Sequence, residues 1–78
     1  MNIAMLRLVI LAREQAVSGV ARELRLRRGL SLREVGDAAG VTPAAVWRWE
    51  RGDRVPRTAA AARYGALLVD FARTSESA

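Results

Sequence analysis

The sequence predicts an all-α fold, a small bundle of about five helices. Three observations support this prediction. Glycines and helix-capping residues divide the 78-residue chain into short segments, and the apolar residues of those segments recur at three- and four-residue intervals. No segment combines strict alternation of polar and apolar residues with β-branched types, as a half-buried strand would. This length suits a single domain with one small core.

The first predicted helix runs from about Asn2 to Val17 and is apolar on more than one side. Such a helix is usually enclosed. Three roles stay open for it: packing in the core, contact with a second copy of the chain, and contact with a different protein. Its apolar run is short and interrupted by Arg7, whereas a membrane span needs about 20 residues. A signal peptide is not indicated either, so no membrane partner is expected.

Two further helices are marked by their ends. Ser18 is a candidate N-cap for a second helix that ends near Arg28. Ser31 and Glu34 have the spacing of a capping box at the start of a third helix. Gly40 supplies a left-handed residue that stops the third helix after little more than two turns.

The remaining chain predicts two more helices and a tail. Thr42 is an N-cap residue and Pro43 occupies the first helical position, so a fourth helix begins there and ends near Arg51. After a loop, Thr58 begins a fifth helix with apolar residues at helical spacing. Residues 74–78 are expected to form a frayed, disordered tail.

Composition excludes several kinds of chemistry. The chain has no cysteine, histidine or lysine, so thiolate and imidazole metal sites and a nucleophile with its base cannot be assembled. We expect no enzyme activity, no metal, no cofactor and no small-molecule ligand. The net charge is +5 and the sequence pI about 11.5, which favours an acidic partner, nucleic acid first. All 13 basic residues are arginine, which fits either selection for phosphate and base contacts or a GC-rich genome.

The third and fourth helices have the layout of a helix-turn-helix, in which the second helix enters the major groove of DNA. Gly36 is small and allows the two helices to cross closely, and Gly40 makes the turn. Val46 and Trp49 have the spacing of apolar anchors that hold the second helix on the core. This combination of residues within about 20 positions is a specific signal.

The fourth helix divides into an inward and an outward side at about 100° per residue. The inward side is apolar except for one carboxylate, and the outward side has one small residue and two arginines. An outward arginine can reach both acceptors of a guanine edge, while a small neighbour lets the helix enter the groove. The alternative is an ordinary solvated face. The inward residues are Val46, Trp49 and Glu50, and the outward residues are Ala44, Arg48 and Arg51.

A longer set of residues strengthens this interpretation. In order, they are Arg25, 29-GLS-31, Glu34, Gly36, 40-GVT-42, Val46, Trp49, Glu50, Gly52 and Pro56. In this order and spacing, residues 19–73 resemble the Cro/phage-repressor (XRE) type of helix-turn-helix domain. The resemblance implies a lambda-repressor-like fold for residues 19–73. We expect residues 1–73 to form a single domain, in which residues 1–17 are an extra N-terminal helix outside the resemblance.

The resemblance also implies a function. Such proteins are sequence-specific regulators that bind double-stranded DNA, and we expect a transcriptional repressor that acts by occupying its operator. The expected location is the cytoplasm of a prokaryotic or phage-infected cell, at the nucleoid. Members commonly bind as dimers on two half-sites, so a homodimer, with the N-terminal helix as one contact, is a further expectation. The alternative is an antitoxin or accessory factor whose N-terminal helix binds a partner protein.

Individual roles follow from the resemblance. Arg25 and Glu50 match a pair that ties the first helix of the domain to the recognition helix. Leu32 departs from the polar residue that many members use on phosphate, and Arg33 can replace that contact. Trp47 flanks the DNA face, where packing on a sugar or thymine and packing on a neighbouring helix stay open. The implied base-reading residues are Pro43, Ala44, Trp47 and Arg48, and the implied phosphate-binding residues are Ser31, Arg33, Thr42, Arg51 and Arg54.

Overall fold

The residues that the structure describes form five α-helices, as predicted, and contain no strand. This computed structural model describes the backbone of residues 1–77 and the side chains of residues 1–73. Ala78 and the side chains of the expected tail, 74–78, lie outside the described residues, so that expectation stays a prediction. The helices are α1 (Ile3–Ser18), α2 (Val20–Arg27), α3 (Leu32–Ala39), α4 (Pro43–Arg51) and α5 (Thr58–Ser77).

Ser18 belongs to α1 and is not the N-cap of α2 as its residue type suggested. Gly19 adopts the left-handed conformation, with φ 92°, and this single residue both ends α1 and caps α2. The chain can reverse so abruptly because glycine has no Cβ to oppose a positive φ. The Ser18 hydroxyl still accepts a hydrogen bond from the Val20 N–H, at 3.4 Å.

The two long helices, α1 and α5, cross at Gly65. A Cβ placed on Gly65 would meet the backbone carbonyl of Leu8, with the Leu8 carbonyl carbon 2.9 Å away. Backbone atoms cannot rotate aside as a side chain would, so only glycine permits this approach. The interruption of α5 by glycine therefore marks a close helix crossing.

The core lies between α1, α5 and the three short helices. Residues from every helix contribute to it, and α1 contributes Val9, Ala12 and Ala16, so core packing is one role of the N-terminal helix. The buried apolar residues are Val9, Ala12, Ala16, Ala21, Leu24, Val35, Ala39, Val46, Trp49, Ala61, Ala62, Tyr64 and Leu68.

One face of α1 is not enclosed within its own chain, so contact with a second copy or with a different protein stays open for it. Ile3 is 70% exposed, Leu6 48%, Ile10 45% and Val17 74%, and we call these four residues the α1 stripe. The small alanines and Val9 on the opposite face suffice for close packing against α5, so the larger side chains stay outside. Among the described residues, no helix is long and apolar enough to cross a membrane.

Candidate nucleic-acid interface

The turn between α3 and α4 depends on two glycines. Gly40 has φ 74° and ends α3, as the sequence predicted. A Cβ on Gly36 would lie 2.8 Å from the Val41 carbonyl oxygen and 3.3 Å from the Pro43 nitrogen. The Val41 N–H donates to the Gly36 carbonyl over 2.9 Å. Gly36 therefore lets the start of α4 lie directly on α3, which sets the crossing of the two helices.

Arg63 of α5 supports this turn from outside the motif. Its Nε donates to the Ala39 carbonyl over 2.7 Å, and its guanidinium passes close to Gly40. The bond satisfies one of the carbonyls that the end of α3 leaves without an intrahelical partner. Sequence reasoning missed this contact, because nothing local connects position 63 with position 39.

The first turn of α4 is capped as predicted. The Thr42 hydroxyl accepts a hydrogen bond from the Ala45 N–H at 3.1 Å, and Pro43 stands at the first helical position. Thr42, Pro43 and Ala44 are all exposed. The positive end of the α4 dipole and a short, mostly apolar turn therefore reach the surface together.

The inner face of α4 packs on α3 and α1, and its Trp49 also reaches Tyr64 of α5. Val46 and Trp49 are buried, and the Trp49 ring lies 4.8 Å from the Tyr64 ring, centre to centre, at an angle of 40°. Burial raises the pKa of the Tyr64 phenol, and the negative charge of Glu50 adds to this effect. Tyr64 is therefore neutral at all physiological pH values and serves as an aromatic support for Trp49.

An ion pair joins the inner face of α4 to α2. The Arg25 guanidinium donates from Nε to Glu50 Oε2 over 2.7 Å and from Nη2 to Oε1 over 2.9 Å. Its Nη1 donates to the Leu30 carbonyl over 2.9 Å. The hydrogen bond to Glu50 raises the pKa of Arg25, although desolvation opposes it. Both charges are mostly buried, so this fork orients α4 relative to α2.

The outer face of α4 projects into solvent. Ala44, Trp47 and Arg48 are exposed, on the side of the helix away from Val46 and Trp49. Within the described part of the chain, the Arg48 side chain makes no hydrogen bond and no ion pair. Its guanidinium is therefore available to a ligand without first leaving a protein partner.

Arg51 is held in place by two neighbours. Its guanidinium carbon lies 4.6 Å from the centre of the Trp47 ring, and its Nε lies 3.2 Å from Asp53 Oδ2. Trp47 thus lies on the surface beside Arg51 and does not pack on the core. Sequence reasoning missed this cation–π contact, although the four-residue spacing of Trp47 and Arg51 was a usable signal.

The start of α3 and the loop after α4 carry the other sequence-predicted residues. Ser31 and Glu34 form the expected capping box, with both hydrogen bonds at 3.0 Å. These bonds lower the pKa of Glu34. Arg33 and Arg54 are exposed, and the described residues offer neither of them an ion pair. The Ser31 N–H already donates to Glu34, so the positive charge at the start of α3 comes from Arg33.

Comparison with known proteins agrees with this geometry. A family model described as a helix-turn-helix domain matches residues 16–69, which is more than half of the chain. The chain belongs to the helix-turn-helix family. This match supports the XRE-type resemblance on which the residue assignments were based. No curated protein and no solved structure matches the chain.

Membership in the helix-turn-helix family indicates DNA binding. Proteins of this family are typically not enzymes. The matched region contains the turn and both short helices, α3 and α4, together with the Arg25–Glu50 pair. Most of α1 precedes the matched region, so its exposed face requires an explanation of its own.

Proposed function

We propose that the protein is a sequence-specific transcriptional regulator that places the outer face of α4 in the major groove of double-stranded DNA. The observation that carries this proposal is the position of Arg48. It is exposed and unpaired within the described residues, on the side of α4 opposite the buried Val46 and Trp49. A cation in this position on the second helix of the motif meets base edges when the helix docks.

The chemistry of this face predicts a limited base-reading code. Arg48 can donate two hydrogen bonds to the O6 and N7 atoms of one guanine. Pro43 and Ala44 bring no hydrogen-bond donors from their side chains and suit contact with thymine methyl groups. Trp47, held beside Arg51, offers a flat apolar surface to a sugar or a thymine. Direct readout by hydrogen bonds therefore depends mainly on Arg48.

Contacts with phosphates supply most of the affinity in this proposal. Thr42 at the start of α4 and Arg51 at its end lie at either end of the outer face. Ser31 and Arg33 mark the start of α3, and Arg54 follows α4 in the loop. Each phosphate neutralised by an arginine releases counterions, so affinity falls steeply with salt. The net charge of +5 supports this mode of binding.

Repression by occupancy is the proposed mode of regulation. A protein that covers an operator blocks other proteins from that DNA and needs no effector. The proposed place of action is the bacterial or phage-infected cytoplasm, at the nucleoid. The proposal includes a homodimer, because two motifs on half-sites about one helical turn apart read a longer sequence than one motif.

Selection from a randomised duplex library tests sequence specificity. The purified protein is incubated with the library at moderate salt, and bound duplexes are amplified and sequenced over several rounds. We expect a short consensus that contains an essential guanine, repeated as a palindrome if two copies bind. Absence of enrichment over the starting library would refute sequence-specific binding.

The α1 stripe favours a second candidate, an antitoxin or accessory factor that binds a partner protein. Deleting residues 1–17 cannot separate the two functions, because Val9, Ala12 and Ala16 are buried in the core. Replacing the exposed Leu6 and Ile10 by glutamine leaves the three buried residues unchanged. Regulation in cells that survives this exchange unchanged would argue against any function for the exposed face.

A further inference from the structure

The α1 stripe follows a heptad repeat. Ile3, Ile10 and Val17 are seven residues apart, and Leu6 lies between the first two at the other coiled-coil position. At about 100° per residue, all four fall within a sector of about 60°. Ile3, Ile10 and Val17 are placed symmetrically about Ile10, and all four side chains of the stripe are at least 45% exposed.

The fifth position of this repeat is Arg13, and it does not obstruct the stripe. Its Nε donates to the carbonyl of Pro56 over 2.9 Å, which draws the guanidinium toward the loop after α4. The aliphatic stem of a long cationic side chain can cover an apolar surface while the charge binds elsewhere. One N–H of the polar residue in the repeat is therefore already bound within its own chain.

We propose that the α1 stripe binds the same stripe of a second copy of the chain, with the two helices antiparallel and a two-fold axis at Ile10. Ile10 then packs on Ile10 of the second copy, and Ile3 packs on Val17 at both ends. This inference extends the proposed function by specifying the dimer, but the contact itself does not require DNA.

Charges beside the stripe determine the antiparallel direction. Arg7 and Glu14 flank the stripe on the same side, one heptad apart, and neither makes an ion pair within the described residues. In an antiparallel pair, equivalent sides face each other, so Arg7 of each copy meets Glu14 of the other. A parallel pair would not align these opposite charges.

A cavity at one end of the stripe also fits this arrangement. It measures about 250 Å³. The lining consists of Arg13, Ala16 and Val17 of α1, Trp49 of α4, and Gly52, Arg54, Val55 and Pro56 of the loop between α4 and α5. Ile3 of the same chain lies about 21 Å away along the helix, at 1.5 Å per residue. The antiparallel arrangement places Ile3 of the second copy at the mouth of this cavity, beside Val17.

The contact is small, which predicts a weak dimer. One stripe of four residues presents less than the roughly 800 Å² per partner that stable complexes bury. Two copies bound to adjacent half-sites would be held at a high effective concentration, which makes a weak contact sufficient. Dissociation constants in the micromolar to low millimolar range are therefore expected for the protein alone.

Disulfide trapping without DNA tests the direction directly, because the chain has no cysteine of its own. The Ile10→Cys chain should form a covalent dimer under mild oxidation. The Ile3→Cys and Val17→Cys chains should each stay monomeric alone and cross-link when mixed. Self-cross-linking by Val17→Cys without the mixed product, or no cross-link from Ile10→Cys, would overturn the antiparallel pair.

Charge exchange gives a second test that does not depend on oxidation. Sedimentation equilibrium should show self-association of the unchanged chain, weakened roughly tenfold by Arg7→Glu or by Glu14→Arg. The double variant, Arg7→Glu with Glu14→Arg, should restore association because opposite charges face each other again. A monomer at about 1 mM, or no recovery in the double variant, would overturn the proposal. Neither test uses DNA, so failure here is distinct from failure of the DNA-binding proposal.

Discussion

The Arg25 guanidinium of α2 donates two hydrogen bonds to the Glu50 carboxylate of α4, of 2.7 and 2.9 Å. The Glu50 side chain is only 3% exposed, and that of Arg25 11%. The angle at which α4 presents its outer face thus depends on a residue of a different helix. Arg48 can read a base only if this support keeps α4 in place.

Replacing Arg25 by methionine should destabilise the protein severely. The exchange leaves the Glu50 carboxylate buried without its partner, and such a loss costs about 3 to 5 kcal/mol. Chemical unfolding followed by circular dichroism measures the free energy of unfolding.

Arg27→Met is the matched control. Arg27 pairs with Glu23 over 2.7 Å, but those side chains are 60% and 57% exposed. Pairs of this kind contribute about 1 kcal/mol or less. Adding Glu50→Met to Arg25→Met should recover part of the lost stability, because no buried charge then remains unpaired. Equal costs for the Arg25 and Arg27 variants would contradict the proposed support.

Gly65→Ala should also destabilise the protein, although alanine is favoured over glycine in helices by about 1 kcal/mol. The added Cβ meets the backbone of Leu8, so α1 and α5 must separate. Thermal unfolding should show a lower Tm than for the unchanged chain. Ala66→Ser, at an exposed position of the same helix, should change the free energy of unfolding by less than about 0.5 kcal/mol. A higher Tm for Gly65→Ala would show that the crossing can relax.

Local signals predicted much of this fold. Ser31, Thr42 and Gly40 specify helix ends through hydrogen bonds or backbone conformation within a few residues, which a sequence displays directly. Gly19 shows the limit of this reasoning. Either Ser18 or Gly19 could have separated α1 from α2, and the residue types alone did not decide between them. The exposed face of α1 was not predictable, since burial depends on which face α5 covers.

Acid should weaken the α3 capping box. Hydrogen bonds to Ser31 lower the pKa of Glu34 in the folded state. A lowered folded pKa means that its stabilisation is complete above the unfolded pKa and is lost as the pH falls through the folded pKa. Glutamine can replace glutamate in a capping box and does not titrate.

The free energy of unfolding should therefore fall more for the unchanged chain than for Glu34→Gln between about pH 6 and pH 3. Urea unfolding at a series of pH values measures this difference. Parallel pH dependences for the two chains would show that Glu34 does not contribute.

Asp53→Asn should strengthen binding to DNA of any sequence. Asp53 lies 3.2 Å from the Arg51 guanidinium and competes with phosphate for it. Removal of the carboxylate frees Arg51 and removes a negative charge near the DNA. Fluorescence anisotropy with a random duplex, measured over a range of salt concentrations, quantifies the effect.

Glu23→Gln makes the same change of net charge on α2 and serves as the control. We expect a larger gain in affinity for Asp53→Asn than for Glu23→Gln. Equal gains would show that only the change in net charge matters and that Asp53 does not compete with phosphate for Arg51. In contrast, Arg51→Ala and Arg54→Ala should each weaken binding to all sequences and flatten its dependence on salt.

The outer face of α4 was predictable from helical periodicity, but its internal contacts were not. Residues Ala44 and Arg48 lie outside because Val46 and Trp49 face inward, a relationship that an angle of about 100° per residue determines. The position of Arg51 over Trp47 depends on side-chain conformations that periodicity does not specify. The bond from Arg63 to Ala39 connects distant segments and had no local signal.

Binding of Arg48→Ala to the selected consensus tests the central claim most directly. Affinity for the consensus duplex and for duplexes altered at each position should be measured at fixed salt, with Arg22→Ala as a control for the loss of one exposed charge. We predict that Arg48→Ala loses about 1 to 3 kcal/mol of specific binding and stops discriminating at one guanine, while Arg22→Ala keeps the full preference. Unchanged affinity and base preference in Arg48→Ala would contradict the assignment of this face of α4 as the reading surface.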